Sequence, residues 1–195
     1  SFYAKIAGLV VKCWMFVMRL SHSGKAFHVA FATQAQEAFL EGHVLAFEYF
    51  GGVAARIRYD NLKPAVIRVL KGRDRVETER FTALRSHYGF DSFFCRPGVD
   101  GAHEKGGVEG EIGRFRRRHL VPVPAVACLA ELNELIAAAD RLDDDRVITG
   151  RPITAREARP RREGASTVTR RPPSASCRAK QSGMAGTSPS IRIAS

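Results

Sequence analysis

Lys12–Leu20 (KCWMFVMRL), the cluster Ser21-His22-Ser23-Gly24 and Lys25–Phe31 (KAFHVAF) form the stretch on which the fold reading turns. The first run is rich in apolar residues, among them the aromatic Trp14 and Phe16 and the β-branched Val17, and the cluster after it favours a turn. The second run alternates, with Ala26, His28 and Ala30 on one face and Phe27, Val29 and Phe31 on the other. This pattern predicts a β-hairpin.

Working outward, Thr33 can cap a helix with Glu37 and Glu41 in its first turns, ending near Gly51-Gly52. Val53–Tyr59 and Ala65–Leu70 are strand candidates. Glu77–Tyr88 carries Phe81, Leu84 and Tyr88 on one helical stripe, and Phe90–Cys95 is a short apolar strand closed by Pro97-Gly98. Val108, Ile112 and Phe115 mark a further helix. A longer one after Pro122 and Pro124 carries Val126, Leu129, Leu132, Leu135, Ile136, Ala139 and Leu142. Antiparallel strands followed by alternating strands and helices imply an α/β sheet covered by helices.

Composition bounds the rest. The chain has 195 residues and a net charge of +11, and its length suffices for one core. Residues 151–195 hold 10 Lys or Arg against 2 Glu, so +8 of that charge sits in an Arg/Pro/Ser tail, which is expected to be disordered. All 12 Phe, 4 Tyr and 1 Trp lie at or before Phe115, which puts the core upstream. No run of about 18 apolar residues predicts a membrane span, and a soluble, cytoplasmic protein is expected. Cys13, Cys95, Cys128 and Cys177 are too far apart for CxxC pairs and are expected as thiols. Ser23-Gly24-Lys25 is not a phosphate loop, Gly106–Gly113 does not fit GxGxxG, and neither HExxH nor GxSxG occurs.

One constellation remains. Asp60 ends the Val53–Tyr59 strand, at the carboxyl edge where open α/β sheets gather their chemistry. Glu109 opens the Val108–Phe115 helix, and Arg116 falls within about 20° of it on the helical wheel. Arg114, Arg117 and Arg118 complete a basic cluster suited to a phosphate backbone beside a carboxylate-bound metal. The plainer alternatives are a turn aspartate and a solvated helix face. Glu111, about 160° from Glu109 on the wheel, is not a candidate.

Arg58-Tyr59-Asp60-Asn61-Leu62-Lys63, Leu84-Arg85-Ser86-His87-Tyr88-Gly89-Phe90 and His103-Glu104-Lys105-Gly106-Gly107-Val108-Glu109, followed by Arg114-Phe115-Arg116-Arg117, resemble the IstA-type transposases of the insertion sequence twenty-one family. The resemblance runs from about Phe2 to Thr154. It implies an integrase catalytic core of ribonuclease H-like fold that cuts and joins DNA with Mg²⁺ or Mn²⁺ bound by carboxylates. Asp60 is then the second aspartate, Glu109 the glutamate of an acidic triad, and Arg116 the basic residue one heptad on. The resemblance also implies DNA (transposon ends and target), a homo-oligomer and an ATPase helper as partners, in a nucleoid-associated setting.

No aspartate precedes Asp60, so the first carboxylate and the central first strand are expected to be missing. The chain reads as a truncated, inactive transposase. Its expected divisions are a truncated core at 1–122, an amphipathic helix and extended connector at 123–150, and a basic low-complexity tail at 151–195. Two alternatives stay open. One is a non-enzymatic nucleic-acid-binding protein using its tail, the other a different two-metal nuclease needing Asp91 or Asp100 as an additional carboxylate.

Overall fold

The computed structural model describes residues 1–20, 23–59, 66–69, 75–94 and 102–146, and of 66–69, 75–76 and 102–109 the backbone alone. The disorder expected of the tail concerns residues outside this description. In chain order the elements are β1 (Phe2–Ile6), β2 (Leu9–Arg19), β3 (Ala26–Phe31), α1 (Gln36–Phe50), β4 (Arg56–Tyr59), β5 (Val66–Val69), β6 (Arg75–Glu77), α2 (Glu79–Tyr88), β7 (Asp91–Phe94), α3 (Ala102–His119), β8 (Ala125–Val126) and α4 (Leu129–Asp144).

The expected hairpin is present: β2 and β3 pair antiparallel with Trp14 opposite Phe31 and Met18 opposite Phe27. A strand that the sequence reading did not assign, β1, pairs antiparallel with β2. Its turn, Ala7-Gly8, has φ of 50° and 84°, the conformation of a two-residue hairpin turn usually signalled by Asn-Gly. β8 adds in parallel on the far side of β1, giving the order β3-β2-β1-β8. β4 and β7 form a separate parallel pair, with Tyr59 opposite Phe94, and β5 with β6 a small antiparallel one.

Both faces of the main sheet are covered, which is why every residue of β3 is buried. On one face Phe16, Phe27, Val29 and Phe31 pack with Phe39 and Phe47 of α1, Tyr59, Phe81, Phe90 and Phe94. On the other, Phe2, Ala4, Cys13, Met15 and Ala30 pack with Phe115 of α3 and with Leu132, Ile136 and Ala139 of α4. The faces are those that alternation assigned along β3. α1 crosses β2 closely at Gly42, where a Cβ would lie 2.6 Å from the Phe16 ring. Any side chain there would overpack the crossing.

Several expectations need correction. α1 starts at Gln36 behind Ala35, which makes no side-chain cap, so Thr33 is not its cap; it ends at Gly51 as expected. Glu77 belongs to β6, and Thr78 caps α2 by accepting the Phe81 amide at 3.3 Å. α3 begins at Ala102 and runs through Gly106-Gly107 in spite of the weak helix propensity of glycine. Val126 lies in β8 rather than on the last helix. Leu135 and Leu142 are 51% and 70% exposed, since α4 buries only the side that meets the sheet. Cys13 is a buried free thiol as expected, but Cys128 is disulfide-bonded. Contacts between cysteines far apart in sequence leave no trace in their spacing. Among the described residues no helix is long and apolar enough to cross a membrane.

Candidate functional site

α3 is fastened to the sheet by one ring and one carboxylate. Phe115 is fully buried and stacks on His28 of β3, with centroids 3.8 Å apart and planes inclined by 17°. One turn earlier, Glu111 is buried and receives the Arg114 guanidinium, with Arg19 at 3.6 Å and Arg146 at 3.5 Å on its other oxygen. Burial pushes its carboxyl up, and the Arg114 hydrogen bond with the charges of Arg114, Arg146 and His28 outweighs that, leaving a net lowering. Arg114 also binds Asp143 of α4, which Arg118 approaches at 3.4 Å and His119 at 3.2 Å. Asp143 is likewise held low, burial being outweighed by the bond and charge of Arg114 and the contacts of His119. Lys25 pairs with Asp144 at 2.8 Å. The network ties β2, β3, α3 and α4 together.

A second buried pair lies beside it. Asp140 of α4 accepts the backbone N–H of His28 at 2.8 Å and meets His28 Nδ1 at 2.6 Å. Burial raises the Asp140 carboxyl, while its bonds and charge contact with His28 oppose the rise. Seven residues earlier on the same helix, Asn133 accepts the Ala30 amide at 2.7 Å and donates to its carbonyl at 3.0 Å. In this register the N–H groups of His28 and Ala30 point away from β2. α4 thus supplies the partners that a further strand would otherwise provide.

On the opposite face, His43 of α1 is buried and reaches Tyr59, the last residue of β4. The ring donates from Nδ1 to the Phe39 carbonyl at 2.6 Å, and the Tyr59 hydroxyl donates to Nε2 at 2.9 Å. Burial lowers the His43 pKa to about 4, opposed by the Phe39 bond, and burial raises that of Tyr59. Both groups are therefore neutral near pH 7, with their hydrogen-bonding roles matched.

The predicted site residues distribute as follows. Asp60, directly after β4, lies outside the described residues, as does the side chain of Glu109, whose backbone is in α3. Arg116, Arg117 and Arg118 are exposed in the last turn of α3, where positive charge opposes the helix macrodipole favourably. Arg114 is drawn away from them into the Glu111–Asp143 network. Asp91 opens β7 opposite Arg56, at the amino end of the β4–β7 pair, whereas Asp60 follows its carboxyl end. Asp100 lies outside the described residues. Among the described residues no three His, Cys, Asp or Glu side chains group as metal ligands. Sequence reasoning passed over Glu111, although Arg114 three residues on was a usable signal. His43 and Asp140 gave no comparable one, because their partners are 16 and 112 residues distant.

No family model matches the chain. It is 39% identical over 131 residues to the transposase for insertion sequences IS1326/IS1353 of Pseudomonas aeruginosa, covering 67% of this chain and 25% of that protein. The chain is a relative of the IS21-type transposases. The IS21 transposase of Pseudomonas aeruginosa itself is 38% identical over 119 residues, 60% of this chain and 29% of that protein. A transposase of Aminobacter aminovorans is 39% identical over 117 residues, 60% and 22% respectively. This transposase relative thus spans about a quarter of the length of the curated proteins it matches. Among solved structures, a chain of the simian T-cell lymphotropic virus intasome in complex with PP2A regulatory subunit B56 gamma aligns with a TM-score of 0.60. It does so at 12% identity, over 86% of this chain and 55% of that one, a likeness of fold.

Proposed function

We propose that this chain is the catalytic-core portion of a transposase of ribonuclease H-like fold, working on DNA ends through Asp60 and Glu109. The observation that carries the reading is the transposase similarity over 67% of the chain. The layout supports it: β4 runs directly into Asp60, and α3, bearing Glu109 in its backbone span, packs on the sheet through Phe115. In a ribonuclease H-like sheet the first strand lies between the second and the fourth. Among the described residues β1 lies beside β2 in the order β3-β2-β1-β8, which supports reading β1 as part of that first strand, although its other neighbour is β8 and β4 pairs with β7.

The donors suit Mg²⁺ or Mn²⁺, because carboxylate oxygens are the ligands such hard ions prefer. A bound ion would supply Lewis-acid activation at a phosphodiester. The chain's own part is positioning. The His43–Tyr59 bond fixes the strand end before Asp60, the Glu111 network fixes the helix of Glu109, and Arg116–Arg118 offer cations to a phosphate backbone. Asp60 and Glu109 are read as two carboxylates of the acidic triad, and we expect them to contribute to metal binding beside DNA. A homo-oligomer and an ATPase helper complete the proposal, which keeps the divisions 1–122, 123–150 and 151–195.

The test is Mn²⁺ titration followed by water-proton relaxation. Asp60→Asn and Glu109→Gln should each weaken the already weak Mn²⁺ binding severalfold. Glu111→Gln should leave it intact and lower the unfolding free energy by about 2 kcal/mol, less than for a fully buried pair because its arginines keep some water. Mn²⁺ affinity unchanged in both the Asp60 and Glu109 variants would sink the reading.

A further inference from the structure

The sheet face under α1 is closed at one end and open at the other. Registers place Tyr3 opposite Lys12 and Lys5 opposite Val10, and Trp14 follows Lys12 on the same face of β2. The next residue on that face, Phe16, is 4% exposed under α1 at Gly42. Beyond it cover ends: Trp14 is half-buried, Lys5 and Lys12 are exposed, and Tyr3 and Val10 are 57% and 70% exposed. Lys12 Nζ stands 5.4 Å from the centroid of the Trp14 ring. Residues 1–36 contain Lys5, Lys12, Arg19 and Lys25 and not one Asp or Glu.

We propose that this open half-face is a contact surface for unpaired nucleic-acid bases, with Tyr3 and Trp14 as stacking platforms and Lys5 and Lys12 as phosphate partners. The proposal rests on the DNA reading above and adds a strand state to it. Diagonal cross-strand neighbours such as Tyr3 and Trp14 lie about 7 to 8 Å apart, roughly twice the 3.4 Å rise of stacked bases. Successive bases of one strand can therefore meet successive rings. Stacking needs free base faces, which a duplex hides and a single strand offers, while the lysines track the backbone. Charge argues against a second copy as occupant: a two-fold contact is self-complementary and would set Lys5 and Lys12 against their own copies.

Trp14 is the single tryptophan of the chain, so its emission reports on this face alone. The full chain is titrated with a labelled oligothymidylate and, separately, with a mixed-sequence duplex of equal length. Label anisotropy reads binding anywhere on the protein, and Trp14 emission reads binding here. The oligothymidylate should quench Trp14 by about half at saturation, and the duplex should leave it nearly unchanged. Tyr3→Ala and Lys12→Gln, both at exposed positions, should weaken oligothymidylate binding about tenfold and about threefold. Anisotropy rising with Trp14 silent overturns the surface and leaves the DNA reading standing. No anisotropy change with either DNA defeats both. A Trp14 change that follows protein concentration without DNA, and vanishes in Val10→Glu, assigns the face to self-association and overturns the proposal.

Discussion

His43 illustrates how one buried side chain sets a pH dependence. Its ordinary pKa of 6.5 falls to about 4 on burial in the fold. Between those values the unfolded chain takes up a proton that the folded chain refuses. The stabilising difference is fully present above pH 6.5 and is lost as pH falls to about 4, by at most about 3 kcal/mol. Glu111 and Asp143, both held low by Arg114, add their losses further into acid. Urea midpoints at several pH values should show stability falling through this window in the natural chain. The fall should be distinctly shallower in His43→Gln, which cannot titrate. Equal slopes in the two proteins would mean that His43 does not contribute this term.

Among the elements, α4 matters through what it does for β3. Its apolar residues Leu132 and Ile136 enter the core, while Asn133 and Asp140, two turns apart, occupy the outward amides of Ala30 and His28. An edge strand left without such partners is a template for another chain. Asn133→Leu keeps the volume and removes both bonds to Ala30. It should lower stability by about 1 to 3 kcal/mol, the range for a buried backbone group left unpaired. Hydrogen exchange at the Ala30 amide should rise well above that of Val29, whose amide faces β2. Unchanged protection of Ala30 would show that the edge is held by something other than Asn133.

At the scale of the whole molecule, charge is unequally shared, with +8 of +11 carried by residues 151–195. Within the described part, Arg114 is paired with Glu111 and Asp143, which leaves Arg116, Arg117 and Arg118 as the exposed cluster of α3. Nonspecific duplex binding should therefore depend mainly on the tail. Counterion release gives a logarithmic salt slope of about −0.9 for each phosphate neutralised. Deleting residues 155–195 should flatten that slope by several units and weaken binding equally on unrelated duplexes. Identical slopes for the full and shortened chains would move the binding site to the folded part.

The sequence by itself determined the hairpin, the faces of β3, the strand candidates that became β4 and β7, and the resemblance to the IS21-type transposases. Each of these is written in periodicity or in contiguous motifs such as Arg58–Lys63 and His103–Glu109. Tertiary structure alone decided that Glu111 is locked inside while Arg116, Arg117 and Arg118 of the same helix stay outside, that Arg114 serves the fold, and that Asp140 and Asn133 close a sheet edge. It also decided where the cover of α1 stops, leaving Tyr3 and Lys12 open. The division has one physical cause. Backbone conformation answers to neighbours within a few residues, which a pattern records. Burial and ion pairing answer to partners up to 112 residues away, and those partners meet only when the sheet and helices close on each other.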